Sequence, residues 1–257
     1  MAIPLGPAVE RLTHSRATHQ AIAPFSESGD LSTDEGYRIQ DALRAALEAR
    51  GERSIGWKVA FTSQTARETF NAHEPASAFL LAAGVFSSGD EVPTARFVQL
   101  AVEAEIAFLL KSDLRGPGVT PASAFLAVEG AMPALELIDI RFTGAPRAAD
   151  LIADGLYANG IVLGRPLTPV PGLDLALEGM VAEVNGRVVA TNTAAEVMGN
   201  PLNSLAWLAN HLAQRGVGLK AGELVMSGSI SKLLRPKAGD HVRAAFTRLG
   251  SVAARFA

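Results

Sequence analysis

Three acidic side chains stand where an apolar strand would be expected to carry none. In the run Val102-Glu103-Ala104-Glu105-Ile106-Ala107-Phe108-Leu109-Leu110, the period-two alternation of a strand puts Ala104, Ile106, Phe108 and Leu110 on one face. Glu103 and Glu105 share the other face with Ala107 and Leu109. At a rise of ~3.3 Å per residue the two carboxylates leave the backbone ~7 Å apart. If their oxygens converge to ~4 Å, the repulsion is about 4 kcal/mol at an effective dielectric of 20. An exposed amphipathic strand would carry the same pair harmlessly. Against that stands Glu136, set between Leu135 and Leu137 in the apolar run Pro133-Ala134-Leu135-Glu136-Leu137-Ile138-Asp139-Ile140. Buried acids are rarely unpaired. Three carboxylates from two strands can form one face of an octahedral site for a hard divalent cation, leaving positions for water and a chelating substrate.

A fourth candidate is Lys58, in the middle of the short apolar strand Ile55-Gly56-Trp57-Lys58-Val59-Ala60-Phe61. On an edge strand it would point to water. Buried, it shifts its pKa and can act on a substrate. Thr62 and Ser63 end that strand with two hydroxyls. Ser227-Gly228-Ser229 could offer N–H and hydroxyl groups to a carboxylate, or could simply be a tight turn. Asp139 could orient a metal ligand or cap its strand. His73 sits in a turn, and His14, His19, His211 and His241 read as surface or packed residues.

The elements that must position these groups are legible in part. Ser32-Thr33-Asp34-Glu35 is a capping box opening a helix that stops at Gly51. Residues 7–23 and 64–71 are expected to be helical, and Thr120-Pro121 opens a helix expected to run to about Met132. Residues 141–158 read as a long irregular loop. Asn185-Gly186 turns a hairpin within Met180–Ala190, and Asn200-Pro201 starts a helix closed by Gly216. Strands dominate the remainder, without repeat, βαβ alternation or phosphate-cradling glycine loop. The expected class is α+β with a mixed or mostly antiparallel sheet system, folded as a sandwich or roll. A smaller, mostly helical amino-terminal region (1–80) would precede a β-rich catalytic domain (81–257).

The whole chain narrows the function classes. Its 257 residues are 48% hydrophobic and 19% charged, enough for a sizeable core. A net charge of −3 without a basic run argues against nucleic acid as partner. The absence of cysteine removes disulfides, thiolate metal sites and a cysteine nucleophile together. No signal-peptide pattern and no membrane-length apolar run is visible, so a soluble cytoplasmic protein is expected.

Taken together, several stretches resemble the fumarylacetoacetate hydrolase superfamily, and within it the branch of 2-keto-4-pentenoate hydratases and 4-oxalocrotonate decarboxylases. They are Gly56-Trp57-Lys58-Val59 with Thr62-Ser63, the Glu103/Glu105 and Glu136 strands, Ala153-Asp154, Gly199-Asn200-Pro201-Leu202-Asn203 through Trp207-Leu208-Ala209, and Gly250-Ser251-Val252. The resemblance runs from about residue 33 to the end. It implies Mg2+ or Mn2+ held by Glu103, Glu105 and Glu136, with Lys58 as catalytic group. Thr62, Ser63, Asp154 and Ser229 are the expected substrate contacts. It also implies a β-sandwich-like roll, a homo-oligomer, and a small 2-oxo or 2-hydroxy-dienoate substrate of aromatic-compound meta-cleavage catabolism.

Within the branch, Glu-Ala-Glu and Asn200-Pro201-Leu202-Asn203-Ser204-Leu205-Ala206-Trp207 look like the hydratases. Arg115-Gly116-Pro117-Gly118-Val119-Thr120 is closer to the decarboxylases. Hydratase is the preferred reading. An acylpyruvate or β-diketone hydrolase, using His73 with Glu74 to activate water, is a further alternative, as is a non-catalytic binder. The family's Gly-Val-Asp-x-Pro-x-x-Gly is replaced by Phe70-Asn71-Ala72-His73-Glu74-Pro75-Ala76-Ser77, its Asp-Asn by Asp154-Gly155 and its Gly-His-Pro by Gly199-Asn200-Pro201. These departures fall in the substrate region and leave the acidic triad intact.

Overall fold

The strand bearing Glu103 and Glu105 is the middle one of a seven-stranded sheet. This arrangement is seen in a computed structural model, described here for residues 3–257. In chain order the first half contains α1 (Leu5–Thr18), α2 (Thr33–Glu48), β1 (Ser54–Ala60), α3 (Gln64–Phe70), β2 (Ala76–Leu81), β3 (Val85–Ser87), β4 (Glu91–Val92) and β5 (Leu100–Leu110). The second half contains α4 (Pro121–Ala127), β6 (Val128–Asp139), α5 (Ala148–Asp154), β7 (Ala158–Leu163), β8 (Gly179–Val184), β9 (Arg187–Thr193), α6 (Pro201–Gln214), β10 (Leu224–Ser229), β11 (His241–Phe246) and β12 (Gly250–Phe256). The larger sheet runs β2-β1-β10-β5-β6-β7-β3 and the smaller runs β4-β12-β11-β8-β9. Both are mixed, with β1/β10, β3/β7 and β4/β12 parallel. β11 and β12 of the smaller sheet pack against β6 of the larger. The expected α+β class with mixed sheets is what the chain adopts. Among the described residues, no helix is long and apolar enough to cross a membrane.

The alternation in β5 sorts its side chains as the sequence predicts. Ala104, Ile106, Phe108 and Leu110 enter the main core. Ala107 and Leu109 join Leu80, Met132, Ala134, Ile161 and Met226 in a smaller apolar cluster on the acid-bearing face. With both faces covered, Glu103 and Glu105 have a protein wall instead of bulk water beside them. The amino-terminal 80 residues share in this: β1 and most of β2 lie there, hydrogen-bonded into the same sheet.

Local signals hold where they are chemically specific. The Ser32–Glu35 capping box is formed, and Asn185-Gly186 turns the β8–β9 hairpin with both residues at positive φ. Three expectations are corrected. The helix opened by Thr120-Pro121 ends at Ala127 instead of near Met132, because Gly130, Ala131 and Met132 pair with Leu109, Phe108 and Ala107. Ladder pairing in the sheet overrides a helix-compatible sequence there. The segment read as an irregular loop over 141–158 contains α5, packed on α2. The two helices meet at Gly36, where a Cβ would lie 2.7 Å from the Ala149 carbonyl oxygen. Only glycine permits that approach. The first helix spans Leu5–Thr18 where 7–23 was expected, ending at His19 with φ 54°.

Candidate metal centre and catalytic lysine

Glu103 on β5 is directly paired with Glu136 on β6, and Glu105 follows one period along, so the three carboxylates face one space. Each contributes an oxygen, and these oxygens lie within 4.8 Å of one another. Glu105 and Glu136 are 1% exposed and Glu103 keeps partial access to the cavity. Lys58 is 3% exposed and puts Nζ 2.7 Å from Glu136 Oε1 and 3.2 Å from the Leu156 carbonyl oxygen, to which it donates.

That approach crosses the face of the larger sheet. β1 and β6 are three places apart in the strand order, which in a flat sheet means ~14 Å between backbones. The long Lys58 and Glu136 side chains reach toward each other across β10 and β5 to close that gap. The register break in β10 between Met226 and Ser229 falls beside the site and lifts the Gly228 N–H to donate to Glu105 Oε2 at 2.9 Å. Gly228 has φ +123°, and a Cβ there would lie 2.5 Å from Thr62 Oγ1. The residue is confined to glycine twice over.

The electrostatics are unbalanced in a specific way. Burial, then the Glu136 charge, push the Glu103 carboxyl up to about 7. The same two causes hold Glu105 well above the ordinary carboxylate range. Burial alone would lower the Lys58 ammonium, but Glu136, Glu105 and Glu103 outweigh it and the net shift is upward. Glu136 Oε2 is buried without a hydrogen-bond partner, and Oε1 has only the ammonium beside it. Three carboxylates and one ammonium sum to −2 when all are ionised. An all-oxygen donor set with an orphaned buried oxygen and a double negative excess fits a divalent cation.

The triad and Lys58 open into a cavity of about 610 Å³ that also reaches Thr62, Ser63 and Ser229. Seven of the eight residues singled out in the sequence therefore meet there. Ser63 also caps α3, accepting from Ala66 N–H, and Ser229 Oγ donates to the Ser231 carbonyl. Asp154 is the exception and a correction: fully buried, it accepts from Arg141 Nε and Nη2, both at 2.7 Å, and from Tyr157 N–H. Its carboxylate is spent inside the protein and does not line the cavity. Asp139 accepts from Val98 and Gln99 N–H and pairs with Arg141. His73 and Glu74 are exposed and do not line the cavity, which removes the acid–base pair on which the hydrolase alternative relied.

Sequence reasoning missed Arg141 and the Leu156 carbonyl, whereas the Gly228 N–H belongs to the Ser227-Gly228-Ser229 run already read as able to offer N–H groups to a carboxylate. Arg141 follows Asp139-Ile140 without any local pattern, and the Leu156 carbonyl is a backbone group, which no side-chain motif marks.

The model of the fumarylacetoacetate (FAA) hydrolase C-terminal family matches residues 55–257. The chain belongs to that family. Among curated relatives, 2-hydroxyhexa-2,4-dienoate hydratase of Comamonas testosteroni is 32% identical over 251 residues, covering 96% of this chain and 95% of the relative. A 4-oxalocrotonate decarboxylase of Pseudomonas sp. strain CF600 is 32% identical over 228 residues, covering 88% and 86%. Of solved structures, 4-oxalocrotonate decarboxylase from Pseudomonas putida G7, complexed with magnesium and adipate, superposes with a TM-score of 0.95 at 29% identity. That superposition covers 98% of this chain and 97% of the other. The family resemblance read from the acidic strands is thereby established, and it spans nearly the full length of both branches' members.

Proposed function

We propose that this protein is a lyase that adds water to a 2-hydroxy-2,4-dienoate, with Glu103, Glu105 and Glu136 holding Mg2+ or Mn2+ and Lys58 moving the proton. The convergence of three carboxylates, two of them buried, and a buried lysine on one cavity carries the reading. The hydratase names among its relatives support it. The cation would supply Lewis-acid stabilisation of the charge on the oxygen at carbon two. An ammonium has three donors, and Glu136 and Leu156 occupy two of those on Lys58. The third is free to protonate carbon five of the dienol while the 2-hydroxyl proton passes to the Lys58 amine so left, yielding the 2-oxo-3-enoate with Lys58 again an ammonium. Water then adds at carbon four, its proton going to carbon three. Thr62, Ser63 and Ser229 line the same space and are assigned to orienting the substrate. We take the protein to be cytoplasmic and homo-oligomeric, acting in meta-cleavage catabolism of aromatic compounds.

The second reading is a 4-oxalocrotonate-type decarboxylase, favoured by the TM-score of 0.95 to that enzyme. A product-mass assay separates them. The protein is offered 2-hydroxypenta-2,4-dienoate and 2-hydroxymuconate-type diacids with Mg2+, with and without a chelator. Gain of one water, abolished by chelation, is expected. Release of carbon dioxide from the diacid would reassign the protein to the decarboxylases. No conversion of either, with Mg2+ demonstrably bound, would overturn both readings.

A further inference from the structure

The cavity is far larger than the reacting group needs. A five-carbon dienoate has about eight heavy atoms, whereas a cavity of about 610 Å³ is of the size that encloses drug-sized ligands. The surplus space has a direction. Ile138 follows Glu136 by one strand period and Ile140 by two, so both stand on the acid-bearing face, ~7 and ~13 Å further along. The ladder extends that far, since Ile140 N–H donates to the Gln99 carbonyl. Beyond them lies Phe142, paired with Tyr157 at 5.9 Å between ring centroids. A second aromatic pair, Phe61 and Phe70 at 5.3 Å, also lines the cavity.

Charge decides what this space can accept. Of the cations near it, Lys58 lies on Glu136, and Arg141 is fully buried between Asp139 and Asp154. Lys232 and Arg235 also line the cavity, but both are exposed, where ion pairs with a ligand are screened and weak. No buried cation among the described lining residues is left for a second carboxylate, and burying one unpaired on this wall would be strongly unfavourable.

Resting on the metal-chelating reading above, we infer that the substrate carries a bulky apolar tail at its far end, seated along Ile138, Ile140 and Phe142, and that monoacids are preferred over diacids. The test is calorimetric titration of the Mg2+-loaded protein with unreactive 2-oxo acids: pyruvate, 2-oxohexanoate, 2-oxooctanoate, 4-phenyl-2-oxobutanoate and the diacid 2-oxoadipate. Affinity is expected to rise about threefold to fourfold per added methylene, as for apolar burial. The phenyl compound should bind tighter than pyruvate by more than tenfold, and 2-oxoadipate more weakly than 2-oxohexanoate. An Ile140→Arg variant should reverse that last preference, and unchanged unfolding in denaturant would show that it folds. A flat series, or a diacid that binds wild type tightest, would overturn the apolar tail while leaving chelation intact. Failure of every 2-oxo acid, pyruvate included, to bind the Mg2+-loaded protein would overturn the chelation reading and the tail with it.

Discussion

At the level of single residues, Lys58 and the three glutamates form one electrostatic unit. The ammonium neutralises one of three buried charges and donates to the Leu156 carbonyl, so it is held in place before any substrate arrives. Replacing Lys58 by alanine is expected to lower kcat by about 10²–10⁴, the range for losing a positioned proton donor. Mg2+ should bind the variant at least as tightly, because a competing cation has been removed. Turnover measured beside calorimetric Mg2+ titration checks both halves. Equal loss of both would mean that Lys58 only supports the fold.

The element that matters most is α5 with the turn that follows it. Leu156 and Tyr157 are consecutive non-glycine residues at φ 54° and 60°, a conformation that persists only where the surroundings enforce it. Asp154 supplies the enforcement, gripping Arg141 through two short bonds and accepting from the Tyr157 N–H across the turn. The carbonyl so presented is the one that meets Lys58. Asp154→Asn keeps the shape but leaves a buried guanidinium undercompensated, a change that costs about 3–5 kcal/mol when one partner of a buried pair is lost. Denaturant unfolding should report a loss of that order. kcat should fall while Mg2+ affinity stays, since no triad member is touched. A wild-type midpoint would show that Asp154 does not hold the turn.

For the whole molecule, the acidic centre is a source of instability that a bound divalent cation is expected to relieve. The sign follows from the upward shifts. A carboxyl raised from its ordinary value to about 7 stabilises the metal-free fold while protonated, and that stability is lost as pH rises from about 4.5 through 7. Glu105, shifted in the same direction, adds to that loss. Mg2+ binding requires the ionised forms, so it should release protons near neutrality and weaken as pH falls below about 7. The increase in Tm on adding Mg2+ should therefore be larger at pH 8 than at pH 6. Thermal unfolding with Mg2+ and with chelator at the two pH values tests this. An equal increase at both would mean that the triad is already ionised without metal.

Much of this was legible in the linear chain because it depends on local periodicity. Strand alternation placed Glu103 and Glu105 on one face and Ala104, Ile106 and Phe108 in the core, and apolar neighbours marked Glu136 as a buried acid while leaving Lys58 open between burial and an edge strand. Capping chemistry at Ser32–Glu35 and the Asn185-Gly186 turn were equally local. Other features depended on partners distant in the chain. Pairing with β5 converted Gly130–Met132 from expected helix to strand, and Arg141 drew Asp154 away from the cavity. Strand order set β10 and β5 between Lys58 and Glu136, whose long side chains meet across them. Sequence alone determined which residues share a face of each strand. Tertiary structure decided which of them meet, because strand order, ladder register and the pairing of buried charges are set by contacts between segments and not within them.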